Sequence, residues 1–240
     1  MPFTFSHPAI VLPLNYLPKQ WFSITGLVIG SLTPDFEYFL RMSIRSDYSH
    51  TIAGLFCFDL PLGILLAFIF QNIVRNSLFD NLPYPLKARL AIFKRFDWNT
   101  YFRKNWLVVI TSILIGAASH ILWDSFTHES GYFVRMFAEL SHTRDIFGRQ
   151  IPVSKILQHS STLLGGLAIS YAIYKLSPDR TVDKTIKLSY WIILAGLSLT
   201  IISIRVLSGL DLNNYGNLIV TAISAGLLSL VLTPIALNKK

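Results

Sequence analysis

WLVVITSILIGAASHILWDSFTHESG, residues 106–131, decides how this chain folds. It opens as an unbroken apolar run, and Trp106–Thr127 is close to the ~20 residues that cross the hydrocarbon core of a bilayer. Its far end carries His120, Asp124 and His128, each four residues from the next. Residues four apart on a helix differ by about 40° around the axis, so the three form one slanting stripe. Ionisable groups in apolar surroundings are costly unless something compensates them. The run predicts a membrane-crossing helix with a polar site at its end.

The same character extends over all 240 residues. Hydrophobic residues make up 52% and charged residues 14%, and mean hydropathy is +0.49. A soluble domain carries roughly 25% charged residues. Four more apolar runs approach spanning length: Ile52–Gln71, Ile156–Leu176, Leu188–Leu207 and Gly216–Leu237. A shorter run, Phe22–Thr33, stops at Pro34 and reads as a re-entrant, interfacial or bundle-packed helix. The expected fold is all-α: a polytopic membrane helical bundle of about five transmembrane helices plus that short N-terminal helix. It is read as a single integral membrane domain over residues 1–240, with a basic loop or hairpin at 72–105. The N-terminus has no basic n-region and no small-residue cleavage site, so no cleaved signal peptide is expected. Cys57, the single cysteine, reads as a small buried hydrophobe. Tyr16/Trp21, Trp98/Tyr101/Trp106 and Tyr190/Trp191 read as interfacial aromatic belts.

The formal charge of +8 does not signal a nucleic-acid partner, because Lys and Arg sit between apolar runs rather than in a soluble basic domain. They set orientation instead. Segment 72–105 carries Arg75, Lys87, Arg89, Lys94, Arg95, Arg103 and Lys104 against only Asp80 and Asp97, which places it in the cytoplasm. Trp106–Thr127 then runs outward, and Ile156–Leu176 returns to the basic segment 175–187. The 208–216 turn lacks Lys and Arg and lies outside, and the chain ends inside at Lys239 and Lys240. On this threading His50, His120, His128, His142 and His159 share the outer side. His7 and Asp35 join them if Phe22–Thr33 is re-entrant.

Imidazole and carboxylate are the usual ligands of zinc and related metals, and i, i+4 spacing lets two of them grip one ion. One helix cannot close a shell, so further ligands must come from elsewhere. Asp35 follows Pro34 at a helix end or a new helix start, where backbone amides help to hold it. Glu37 is an alternative functional carboxylate, or simply solvated. His50 lies between Ser49 and Thr51, either of which could cap the first long span. His7 precedes Pro8, which favours an extended backbone that presents the ring. Asp59, inside the first span beside Pro61, and His159, at the start of the third, are candidates for supporting contacts around the site. His142 and Asp145 could add ligands from the outer loop. Each residue also has a plainer reading, as an interfacial histidine, a capping aspartate or an interhelical hydrogen bond. No Gly-rich phosphate loop, Cys–Cys zinc pattern or GxSxG elbow occurs, which argues against a serine hydrolase.

The stretches MPFTFSHPAIVLPL, GSLTPDFEYFL, YSHTIAGLFCFDLPLG, GAASHILWDSFTHESG and LQHSSTLLGG resemble an uncharacterised bacterial family of polytopic membrane proteins with a domain-of-unknown-function label. The resemblance covers most of the chain and implies a bacterial plasma-membrane protein. More distantly, the chain is similar to membrane-bound metal-dependent hydrolases and to the zinc-dependent phospholipase C and nuclease group. There an early His, a PD aspartate, an HS or HT histidine and a His-x-x-x-Asp helix supply metal ligands. The matching positions here are His7, Asp35, His50, His120 and Asp124, with His128 a further candidate. The His-x-x-x-Glu signature is absent, so one or two metals are implied rather than a trinuclear site.

The leading expectation is an integral membrane hydrolase using a divalent metal, zinc above others. It would act on a lipid or other membrane-associated phosphoester substrate at the outer interface, with Asp35 or Asp124 as the catalytic carboxylate. The alternative is a non-catalytic membrane protein with a structural metal or polar cluster, or a small transporter. The spans after residue 165 carry few polar groups, which counts against a transport path.

Overall fold

The computed structural model describes residues 3–18 and 20–237. It is almost wholly helical. Among the described residues the strands Thr143–Ile146 and Arg149–Pro152 pair as one antiparallel hairpin, with Thr143 opposite Pro152. Among the described residues four helical stretches are long and apolar enough to cross a membrane: Ile52–Asn81, Trp98–Met136, Leu188–Leu207 and Tyr215–Leu237. The chain is therefore an all-α membrane protein. The expected fifth span, Val153–Lys175, is long enough but less apolar, because Gln158, His159, Ser160, Ser161 and Thr162 occupy its first half. Lys239 and Lys240, read as a cytoplasmic end, lie outside the described residues.

The basic stretch 72–105 is mostly helix rather than loop. The first span continues through a π-helical turn, Phe70–Val74, to Asn81. Tyr84–Leu90 and the 3-10 turn Ala91–Arg95 follow, and the next long helix already begins at Trp98 and kinks at Asn105, whose backbone is non-helical at φ −129°, ψ 29°. Arg75 makes this extension tolerable. Its guanidinium donates to the Gln71 side chain and to the carbonyls of Phe96 (2.9 Å) and Lys94 (3.4 Å), so the buried charge is satisfied without unwinding the helix. Asp97 caps the long helix by accepting from the Thr100 amide at 3.1 Å, and the Thr100 side chain and amide hold its carboxyl below the usual carboxylate range.

The chain divides into two compact units. The first comprises Met1–Pro34, Tyr48–Ile64 and Asn105–Ala172, and the second Asp35–Asp47, Leu65–Lys104 and Ile173–Lys240. In the first, the short run becomes the helix Ile24–Gly30, capped by Ser23, and it is bundle-packed. A Cβ on Gly30 would fall 2.2 Å from the Ile113 carbonyl oxygen, and one on Gly116 would fall 2.4 Å from that of Leu27. Backbone thus meets backbone, the small-residue packing that membrane helices favour. The Ser23 amide donates to Ser112 Oγ at 2.8 Å and fixes the register of the contact.

In the second unit, Leu188–Leu207 and Tyr215–Leu237 form a helical hairpin whose turn passes through Gly209 at φ 92°. Phe36–Arg41 packs on it, with Ser224 Oγ donating to the Phe39 carbonyl at 2.8 Å. Trp98 and Tyr190, expected in aromatic belts, are buried here instead. Trp98 meets Phe68 and Phe102 edge-on or tilted, and Tyr190 lies against Trp191, whose indole donates to the Asn81 carbonyl. Tyr16, Trp21 and Trp106 are exposed, as belt residues would be. Cys57 is exposed rather than buried, on a face of the first span that also exposes Ile52 and Phe56.

Candidate metal centre

The last turns of the Trp98–Thr127 helix carry the polar stripe, and the first unit gathers histidines around it. Asp124 Oδ2 lies 3.3 Å from His120 Nε2 and 3.7 Å from His50 Nε2. Asp124 Oδ1 lies 3.5 Å from His7 Nε2. The His7 ring stacks on that of His120, centroids 3.6 Å apart and planes within 13°, and His50 meets His120 edge-on. His7, His120 and Asp124 are buried, whereas the His50 side chain is 23% exposed and marks the accessible side. Asp35 ends the 3-10 turn Thr33–Asp35, which runs on from the first unit, and is fully buried. Asp35, His50, His120 and Asp124 each offer a ligand atom, all within 4.8 Å of one another, and this His/Asp group could hold a metal ion.

Hydrogen bonding assigns the histidine tautomers. His120 Nδ1 lies 2.7 Å from the Ser31 carbonyl oxygen, which can only accept, so Nδ1 carries the proton. The ring's Nε2 then turns toward Asp124, as a lone pair in the neutral ring and as a second N–H in the protonated one. Ser49 does the same for His50. Its hydroxyl donates to the Pro34 carbonyl at 2.6 Å, so its oxygen, 3.1 Å from His50 Nδ1, must accept there. His50 Nε2 likewise faces the carboxylate. A carboxylate ringed by such nitrogens needs positive charge among them, which a bound metal ion supplies as protons on Nε2 would. The distances support the same view: 3.3–3.7 Å exceeds the usual 2.7–3.2 Å of a direct N–H···O bond. Two ligands each ~2.0–2.1 Å from one tetrahedral zinc would stand about 3.3 Å apart.

Other predicted residues occupy different places. His128 Nδ1 donates to the Asp124 carbonyl at 3.0 Å and lies 3.6 Å from Oδ1, so it flanks the group rather than joining its four members. His7 is not extended. Its backbone is helical at φ −58°, ψ −35°, because Pro8 opens the helix Pro8–Val11 at the first position, where its missing N–H removes no bond. Asp35 makes no side-chain cap, and Thr51 rather than Ser49 caps the first span, by accepting from the Gly54 amide at 2.9 Å. Glu37 is neither solvated nor in the group. It is buried in the second unit, where it accepts from Arg41, Ser46 and the Asp47 amide. Asp59 is fully buried in the π-helical turn Leu55–Asp59, and His159 is exposed on its helix. His142 and Asp145 lie in the exposed hairpin, where Asp145 accepts from the Gly148 amide and so helps to close the turn. Sequence reasoning missed Ser31 and took Ser49 only as a cap. Ser31 acts through its backbone carbonyl, which no side-chain pattern reveals.

A family model described as a domain of unknown function, DUF4184, matches residues 1–235. No curated protein and no solved structure matches the chain.

Proposed function

The chain belongs to the DUF4184 family, and we propose that it is an integral membrane metal-dependent hydrolase acting on a membrane-associated phosphoester at the outer interface. The observation that carries this reading is the pair of imidazoles, His50 and His120, whose Nδ1 atoms are engaged by Ser49 and the Ser31 carbonyl and whose Nε2 atoms turn toward the buried Asp124 carboxylate, in a four-residue group with Asp35. Two nitrogens and two carboxylates suit zinc, a borderline ion, better than magnesium or calcium. His50, His120, Asp124 and Asp35 would hold it. When bound, it would supply Lewis-acid polarisation of a phosphoryl or acyl oxygen. Ser31 and Ser49 keep His120 and His50 in the ligating tautomer. Asp35 and Asp124 are the carboxylates available to take the proton of an attacking water. His50, at the accessible side, is where water would arrive. The choice of a phosphoester rests on the distant resemblance to the phospholipase C group.

Elemental analysis of the purified chain tests this. Near-stoichiometric zinc is expected in the wild type and loss of it in the His120→Ala, Asp124→Ala double variant, with lipid phosphoester hydrolysis lost on chelation and restored by zinc. A wild type without metal, and a double variant that melts unchanged, would end the metal reading. Retained metal without hydrolysis would leave a structural ion.

A further inference from the structure

Beside His7 the first unit holds a cavity of about 280 Å³. Its walls include Ile10, Trp123, Leu164 and Ala168, and among its few polar groups are Ser6 and His7. His7 thus belongs to both the cavity and the cluster around Asp124. The cavity is built by two ties. Ser6 Oγ donates to the Thr162 carbonyl at 3.1 Å, and a Cβ on Gly165 would fall 2.8 Å from the Ser6 carbonyl oxygen. The N-terminal segment is therefore pressed onto the Val153–Lys175 helix one turn before the wall formed by Ala168. Outside the cavity that helix exposes Leu163 and Leu167, surface that hydrocarbon would cover.

We infer that this cavity receives one acyl chain of a phospholipid and so presents the lipid's phosphoester to the cluster at His7. The inference rests on the hydrolase reading for the fate of the phosphoester, but not for the seating of the chain. Size and polarity select the occupant. Ligand pockets are usually ~300–1,000 Å³, so this one is too small for a whole lipid and suits a single chain. Walls of this kind offer a charged or polar ligand few partners, whereas a hydrocarbon chain needs none. The continuity through His7 places the polar end of the ligand beside the candidate metal ligands.

The test uses the full chain in vesicles containing phosphatidylglycerol with a diazirine midway along one acyl chain. On illumination, label is expected on peptides carrying Ile10, Trp123 or Leu164. Ala168→Phe fills the cavity from an exposed position and so spares the fold. It is expected to reduce that label roughly tenfold, the equivalent of losing about two buried methylenes. Leu167→Phe, equally exposed but outside the cavity, should leave it unchanged. Equal labelling of the two variants, label spread evenly over all exposed apolar faces, or cross-links to a second copy of the chain would overturn the inference. Labelling needs neither metal nor turnover. A cavity that labels as expected in a protein without zinc or hydrolysis would therefore sink the hydrolase reading and leave the acyl-chain site standing.

Discussion

Ser49 shows how little a residue name reveals about its task. One hydroxyl, donating to Pro34 and accepting from His50, decides which nitrogen of His50 faces Asp124. Partners of this kind typically contribute 10–100-fold to metal affinity. Ser49→Ala is expected to weaken zinc binding by roughly that factor, and to destabilise the metal-free protein by about 1–3 kcal/mol because the Pro34 carbonyl and His50 Nδ1 lose their buried partner. Competition against a chelator of known affinity would measure it, and unchanged affinity would show that His50 does not ligate. The i, i+4 pair His120 and Asp124 was legible in the sequence because helical spacing alone puts both on one stripe. His7, Asp35 and His50 were legible as candidates by residue type and context. Their convergence was not, since no local rule brings residue 7 to residue 124.

At the scale of elements, the long helix reaches its partner only because both surfaces lack side chains. A Cβ added at Gly116 would fall 2.4 Å from the Leu27 carbonyl oxygen and 2.6 Å from the Ser31 amide nitrogen, both backbone atoms that cannot swing away. Gly116→Ala is expected to destabilise the protein by about 1–3 kcal/mol, as overpacking of a tight contact does. It should also loosen His120, whose Nδ1 is held by the Ser31 carbonyl. Gly166→Ala is the control, because nothing lies within 4 Å of its added Cβ. Thermal unfolding in detergent compares the two, and equal midpoints would refute the close-approach argument. The helix boundaries tell a related story. The apolar run ended at Gln71, yet the helix runs to Asn81 because Arg75 finds acceptors in a turn distant in sequence. Hydropathy counts a buried arginine as an interruption, whereas satisfied hydrogen bonding lets the helix continue.

At the scale of the whole molecule, the basic segments bear on orientation. Within the second unit Lys87 donates to the Thr185 carbonyl, the Asp179 amide donates to that of Ala88, and Arg95 pairs with Asp179. The two basic stretches thus touch within this unit. From Asn105 to Asp124 the long helix rises about 28 Å, close to the ~30 Å hydrocarbon thickness. A reporter fused after residue 140 should be labelled from outside the cell and one after residue 180 from the cytoplasm. Labelling of both on one side would show that Val153–Lys175 does not cross and would overturn the proposed threading.

By itself the sequence determined the solvent and the class of fold. Long apolar runs must leave water, and a backbone in hydrocarbon must satisfy its own hydrogen bonds, so helices were the available solution. It also determined one stripe of the site, because helical periodicity is local. The tertiary structure decided what surrounds that stripe. Glycine contacts bring the Ser31 carbonyl to His120, Pro34 and Ser49 orient His50, and Ser6 packed on Gly165 brings His7 beside Asp124. These are contacts between residues far apart in the chain, mostly through backbone atoms, and side-chain identity alone does not encode them.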